Sequence, residues 1–513
     1  MMSEEHRLLD ESRQTESEIF FHRDAHGTIG NPLMDEAQDL KKYGNENEPF
    51  TLDYLLDQIG FSTYHIKRFI PPALIALSDG AMIMTYSLSS VMIQKQWNYS
   101  DDLNILIISF MFFGVVGGAY LSGPIADKFG RRSPMAISAV LILFTNAISA
   151  FSPGIVFYAI ARGLLAFSAG FYSPIGFTYI LEIIPPSVRG KMITIGCSMV
   201  FLGQLLACTI GLFTLDSLES GNWRALTLWT TVPAVISILL NPLFLDESIR
   251  YLLIKGQFEK AFGQLDRSAQ ESSKSKIKEL TPAHKEALHK WVDIQREIDR
   301  EEREVGIRSL FGSGYAKITL IIWFSWFVHS FCYFGLTLFI PYILTKMENP
   351  QSQSTDIKPS ATSGDIGDLT LSVGLESLSV LMSFFIIDRK SFGRKGALVF
   401  FYVLAAIVAV VAFVDRTRLA LIIWTTVLKI VLNVCSFYNY LMTTEIYPTR
   451  YRATGVGAAT AVGKAGSIFM PWICSLLIQF DLFGPFIAFF VMNLLGAIFT
   501  LRLPFDTADK EMK

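Results

Sequence analysis

Long apolar runs separated by short charged segments occupy the chain from residue 69 onward. Twelve can be marked, at 69–92, 103–121, 134–151, 154–178, 192–214, 223–245, 316–344, 369–387, 396–414, 419–440, 453–478 and 482–503. Each approaches the roughly 20 residues that carry a helix across about 30 Å of hydrocarbon. A spanning helix satisfies its backbone N–H and C=O groups internally. The pattern therefore predicts an all-α membrane protein with twelve transmembrane helices. Only Ser152, Pro153 and Gly154 separate the third and fourth runs, and Pro with Gly suits a tight turn. Five regions follow: a polar N-terminal tail over 1–68, a first bundle over 69–245, a charged central loop with surface helices over 246–315, a second bundle over 316–503 and a short tail over 504–513.

Composition agrees with this pattern. Of the 513 residues, 51% are hydrophobic and 18% charged, with 41 Phe, whereas a soluble domain carries about 25% charge. A net charge of −2 offers no basic excess for nucleic acid. The five Cys all fall inside apolar runs without metal-ligand spacing. The first 68 residues lack the apolar core and cleavage site of a signal peptide. There is no phosphate loop of the GxxxxGK[ST] type and no nucleophile–base constellation, so neither an enzyme, a cofactor nor a metal is expected.

Charge placement sets the expected orientation. Lys128, Arg131, Arg132, Arg189, Lys191, Arg389, Lys390, Arg394, Lys395, Arg450 and Arg452 fall in alternate loops. The intervening loops carry fewer basic residues, which places both termini and the central loop in the cytoplasm.

The loops also repeat. GPIADKFGRR follows the second run and EIIPPSVRG the fourth; IDRKSFGRKG follows the eighth and EIYPTRYRATG the tenth. Glu182 precedes Arg189 by seven residues, and Glu445 precedes Arg452 by the same interval. Asp127 lies 55 residues before Glu182, and Asp388 lies 57 before Glu445. Four matched elements at near-constant offset predict two pseudo-symmetric six-helix bundles around a shared cavity near the bilayer midplane.

These loops resemble the signature of the major facilitator superfamily, with Gly123, Asp127, Gly130, Arg131 and Arg132 matching its cytoplasmic loop motif. Arg162, Glu182 and Arg189 match the spacing of the inner charge network in its sugar-porter and organic-ion branches. Within the superfamily, the segments FTLDYLLDQIGF, LDESIRYLLIKGQFEKA, WFSWFVHSFCYFGLTLF and EIYPTRYRATGVGAATAVGKAG are similar to synaptic vesicle protein 2 and its related proteins. The likeness covers residue 50 to about 503. Two departures stand out: Asp388 and Gly393 are five apart where Asp127 and Gly130 are three apart, and the Gln-rich hexose signature is missing from the seventh run.

The resemblance implies that Asp127, Arg131, Arg132, Glu182, Arg189, Asp388, Arg394, Glu445 and Arg452 act as conformational clamps at the cytoplasmic side. Carboxylates and guanidinium forks supply pairs that hold in one state and part in another. A second group of ionisable residues sits inside the runs: Asp79, Arg162, His329, Glu376, Lys429 and Lys464. A lone charge at the bilayer centre costs roughly 2.5–3.5 kcal/mol on insertion scales, so these residues call for partners, water or a solute. Asp79, Arg162, Glu376, Lys429 and Lys464 are expected to line one central cavity. In the organic-ion branch the position of Lys464 often carries Arg in anion transporters and Asp in cation transporters, which implies an anionic or zwitterionic substrate here. The same Lys has the alternative of a permanent pair with Glu376 or Asp79. Asp79, Glu376 and His329 are candidates for proton coupling. Trp326 and Tyr333 share one helical face suited to stacking on an organic solute.

In the tail, Glu4, Leu8 and Leu9 fit an acidic dileucine pattern that sorting adaptors read, which suggests an endosomal, lysosomal or vesicle membrane as an alternative to the plasma membrane. The expected function is secondary active or facilitative transport of a small organic ion by alternating access, with protons as a candidate coupling ion. The alternatives are a sugar or phosphate porter, and a scaffold, receptor or complex subunit that has ceased to transport.

Overall fold

The computed structural model describes residues 50–273, 275–302, 310–311, 316–348, 364–377, 379, 393–447 and 449–503. Regular structure among them is helical, apart from an isolated bridge between Leu215 and Gly221. The helices are α1 (Leu52–Ile59), α2 (Thr63–Trp97), α3 (Asp101–Phe129), α4 (Arg132–Ala150), α5 (Ile155–Ile183), α6 (Pro186–Thr214), α7 (Trp223–Trp229) and α8 (Val232–Phe244). Then come α9 (Ile249–Ile254), α10 (Phe258–Gln270), α11 (Pro282–Glu302), α12 (Ala316–Glu348) and α13 (Gly364–Glu376). The chain continues with α14 (Arg394–Val414), α15 (Arg418–Ile446), α16 (Thr449–Phe480) and α17 (Gly484–Leu501).

Eleven of these segments, with α7 and α8 counted together, are long and apolar enough to cross a membrane. They account for every expected span except the eighth, which is described only in part, as the 13-residue α13. The helices outrun the apolar runs because their ends continue past the hydrocarbon: α3 carries on to Phe129, and its first turn is capped by the Ser100 side chain. α4 ends at Ala150 and α5 starts at Ile155, with the turn at Ser152–Gly154 between them.

Packing follows a pairing that recurs along the chain. Within the first group α2 packs on α6 and α8, α3 on α5, and α4 on α5 and α8. Within the second group α12 packs on α16 and α17, α13 on α15, and α14 on α15 and α17. The groups meet where α3 touches α16, α6 touches α13 and α2 touches α12. Close approach needs small residues: a Cβ on Gly80 would sit 1.8 Å from the Val200 carbonyl oxygen, and one on Gly203 would sit 1.9 Å from that of Leu77.

A second, separate core lies on the side of the basic loops. The stretch 1–68 was expected to be polar tail throughout, yet Leu52, Leu55, Leu56 and Ile59 recur at helical spacing and are buried. They pack with Phe50 against Ile249, Leu252, Leu253, Phe262, Leu265, Leu288 and Val292 of α9, α10 and α11. The central loop is therefore a small helical layer holding part of the N-terminal segment, with α11 burying an apolar face. The Thr51 side chain caps α1, and Gly60, at φ +74°, ends it.

Candidate functional site

The contacts of the ionisable residues within the spans fall into three sets, the first two adjoining where His329 stacks on Tyr333. The first is a sealed network between the two groups. Glu376, at the end of α13, is fully buried. Its Oε1 accepts hydrogen bonds from the Tyr333 hydroxyl and the Asn433 amide, both at 2.9 Å. Lys429 Nζ lies 3.6 Å from Oε2. Gln204 of α6 donates to the Tyr333 hydroxyl at 2.9 Å, so the chain of bonds runs from the first group into the second. Gln204 and Asn433 were missed in the sequence; an amide inside an apolar run was the available signal, because a polar side chain there needs a partner as a charge does.

The second set lies at the seam itself. Asp79 of α2 and Lys464 of α16 lie within electrostatic reach of each other, and His329 of α12 lies in the field of the same lysine. Among the described residues no carboxylate lies within ion-pair distance of Lys464, whose ammonium sits 4.8 Å from the Phe334 ring centroid. Phe334 in turn meets Phe112 of the first group edge-on at 4.9 Å. His329 is buried, stacks on Tyr333 at 5.8 Å and leaves Nδ1 without a hydrogen bond. Asp79 borders a cleft with Tyr172, Ser173 and Phe177. The cleft holds about 20 Å³, room for about one water.

The third set is internal to the first group. Arg162 is fully buried, donates to the Met82 carbonyl at 2.8 Å and lies near the faces of Tyr86 and Tyr158. Its Nε and Nη1 have no hydrogen-bond partner. Trp326 is also committed: its indole N–H donates to Thr443 at 3.0 Å and its ring meets Tyr440 edge-on at 4.4 Å. The face shared by Trp326 and Tyr333 is thus occupied by protein contacts.

Among the described residues, several hydrogen bonds between the groups lie toward the end opposite the basic loops. The Ser87 hydroxyl donates to the Thr337 carbonyl at 2.5 Å. Ser109 donates to the Ile468 carbonyl at 3.1 Å and accepts from the Trp472 indole at 3.0 Å. Tyr342 reaches Asp101 at 3.4 Å. Toward the basic end, Phe177 and Tyr440 stand 6.5 Å apart.

At the basic loops the expected residues are close together but partnered differently. Arg131 bonds Glu182 at 2.9 Å, with Asp127 3.6 Å away. Glu182 does not pair with Arg189. That guanidinium turns back to the Ile184 carbonyl and forms a fork on Asp53 of α1, at 2.6 and 3.2 Å. Asp57 of α1 accepts from the Ser187 N–H and hydroxyl at 3.1 and 2.8 Å. Glu247 caps the start of α4, accepting from the backbone N–H of Arg131 at 2.7 Å and of Arg132 at 3.3 Å. Burial raises the Glu247 carboxyl pKa, against the pull of those donors and of Ser248. Gly130, at φ +85°, permits this turn: a Cβ there would strike the Glu247 carboxylate at 2.1 Å. Asp53 and Glu247 lie in segments whose sequence gave no sign of a clamp. The Arg132 side chain is exposed, and Arg394 opens α14. Asp388 lies outside the described residues, as do the side chains of Glu445 and Arg452.

Helix number, close-packed small residues and loop charge together define a multi-span membrane protein of the major facilitator fold. Residues 74–513 match the family model described as Sugar (and other) transporter, and the chain belongs to that family. It is 25% identical to the Synaptic vesicle 2-related protein of Xenopus laevis over 94% of this chain and 86% of the relative. It is likewise 25% identical to the Organic cation/carnitine transporter 7 of Arabidopsis thaliana, over 91% and 96%. Among solved structures, a partially occluded inward-open conformation of the xylose transporter XylE from E. coli superimposes with a TM-score of 0.66 at 20% identity, covering 88% of this chain and all of that one. The protein is therefore a membrane transporter, not an enzyme, and moves a small solute by alternating access.

Proposed function

We propose that the chain forms twelve spans in two matched six-helix bundles, 69–245 and 316–503, and carries a small organic ion, an anion in preference to a cation, through the seam between them. The observation that carries this reading is Lys464: it lies at the seam without a carboxylate in contact, opposite Asp79 of the other bundle. Lys429, by comparison, is already neutralised by Glu376. A carboxylate or similar anion would complete Lys464, with His329 Nδ1 offering a further polar contact. Phe334 and Phe112 supply apolar surface for the remainder of an organic solute. The recurring helix pairings support the two-bundle organisation, since the pairings of α2 with α6 and α8, α3 with α5, and α4 with α5 and α8 recur in the second half.

With the basic loops cytoplasmic, the inter-bundle bonds of Ser87, Ser109 and Tyr342 close the outer side, and opening toward the cytoplasm releases the solute. Arg131–Glu182 and Arg189–Asp53 hold the first bundle's inner ends together. Arg132, Asp388, Arg394, Glu445 and Arg452 complete the proposed inner gate. Protons couple to transport through Asp79 or Glu376. Arg162, Trp326 and Tyr333 shape the pathway from behind its lining. The membrane is endosomal, lysosomal, vesicular or plasma, with Glu4, Leu8 and Leu9 available to adaptors. The test is a panel of organic anions, zwitterions and cations on protein reconstituted in vesicles, at two lumenal pH values. Uptake of anions that Lys464→Ala abolishes supports the reading. Uptake confined to cations, or anion uptake unaffected by Lys464→Ala, overturns it.

A further inference from the structure

A cavity lies away from the seam, where the helical layer meets the first bundle. It measures about 440 Å³ and is bordered by α4, α9, α10 and the segment joining α8 to α9. Its rim carries three exposed cations: Arg132 at the start of α4, and Lys260 and Arg267 on α10. Three acids also border it, but two are committed. Asp246 is held by Arg68, with Nε at 2.8 Å and Nη2 in contact. Glu247 is taken up by three backbone N–H groups, those of Arg131, Arg132 and Ser248. Neutral backbone donors leave the Glu247 charge in place, so Glu247 and Glu259 together oppose the three cations.

No ion pair among the described residues neutralises those three cations. Lys260 bonds the Gln257 amide oxygen at 3.1 Å, and Arg267 Nε bonds the Gly263 carbonyl at 3.1 Å, which leaves both charges uncompensated. The cavity wall includes Gln264, only 6% exposed, whose Oε1 has no hydrogen-bond partner. A buried amide oxygen without a donor costs stability, and a hydroxyl-bearing ligand would satisfy it once the amide turned into the cavity. Leu252 and Tyr251 give the remaining wall an apolar part. Arg132 begins a membrane-spanning helix, so the cavity adjoins the end of that span.

We propose that this cavity is a binding site for a phosphorylated polyol, held by Arg132, Lys260 and Arg267 through its phosphates and by Gln264 through a hydroxyl. Guanidinium and ammonium groups at a membrane surface favour phosphate, and basic pockets beside spanning helices accept phosphoinositide headgroups. The volume suits a single headgroup. Two sources share that chemistry: a phosphoinositide in the membrane and a free inositol phosphate. The site is separate from the seam, since Asp79, His329 and Lys464 are not among its lining residues, and it shares only Arg132 with the proposed inner gate.

The test uses the full chain in phosphatidylcholine nanodiscs. One arm adds soluble inositol trisphosphate, and the other replaces a fraction of the lipid with phosphatidylinositol bisphosphate; binding and thermal stability are read in each. Lys260→Glu with Arg267→Glu, both on exposed positions, should weaken binding by about tenfold or more. Lys276→Glu with Lys278→Glu, a charge-matched control on exposed positions outside the cavity, should leave it unchanged. Binding of the soluble probe that the first pair alone weakens establishes the site with a free ligand as a source. A response confined to the lipid arm, again lost only in the first pair, establishes it with a membrane ligand. Absence of binding in both arms, or equal loss in the control pair, overturns the proposal.

Discussion

Lys429 and Lys464 are both lysines inside membrane-spanning helices of the second half, yet they are stabilised in different ways. Lys429 is 3% exposed and sits beside Glu376, whose other oxygen is held by Tyr333 and Asn433. Lys464 has an aromatic face and a more distant Asp79. A buried ion pair is a closed unit: removing one member strands the other. A cation without a contacting anion is an open one, suited to a solute that completes it. The difference teaches that an ionisable residue within a span does not by its presence mark a binding site; what matters is whether its charge is already answered.

The contrast can be broken at either lysine. The largest effect is expected at the closed pair: Glu376→Ala should destabilise the protein by about 3–5 kcal/mol by stranding Lys429, seen as a large fall in melting temperature in detergent. Glu376→Gln with Lys429→Met should recover most of that loss. A single variant as stable as the parent would mean that the pair is not a structural unit. Next, Lys464→Ala should leave the melting temperature near that of the parent while weakening solute binding about 10- to 100-fold, the range for a lost hydrogen bond to a charged group. Equal destabilisation at Lys464 and Lys429 would erase the distinction between them.

Smaller effects belong to the basic loops. Arg131→Ala removes the bond to Glu182, where both side chains are mostly covered, and should cost about 1–3 kcal/mol, measured by thermal unfolding. Glu182→Gln, which keeps an acceptor oxygen, should cost less. Asp53→Asn should cost about 1 kcal/mol or less, because Asp53 is half exposed and water screens the pair. Faster proteolytic cleavage near residue 50 in that variant would show α1 loosening from the Arg189 loop; unchanged cleavage would mean that the apolar face of α1 holds it unaided.

Much of the architecture was legible from local pattern. Apolar runs gave the spans, Ser152–Gly154 marked the break between α4 and α5, and the loop charges marked one face. A run of about 20 apolar residues has few options in a bilayer, since its backbone bonds must close within the helix. The helical layer was less legible: Leu52, Leu55, Leu56 and Ile59 carry a helical period, but only eight residues long and set in a polar tail. Pairing was not legible at all. Glu182 and Arg189, seven apart in sequence, take different partners, and Arg189 joins Asp53 from 136 positions away. Gln204 and Asn433 drew no notice because an uncharged amide barely disturbs an apolar run.

Membrane residence, span positions, the face that carries the basic loops and the kinds of ionisable group within the spans all follow from the order of residues. They depend on interactions between near neighbours and on transfer of each segment from water to lipid. Which charge answers which, which lysine stays open at the seam, and that a cavity forms beside α4 were decided only when distant helices packed. Those outcomes depend on distances of a few ångströms between side chains far apart in the chain, and electrostatic attraction in a poorly polarisable interior changes steeply over that range.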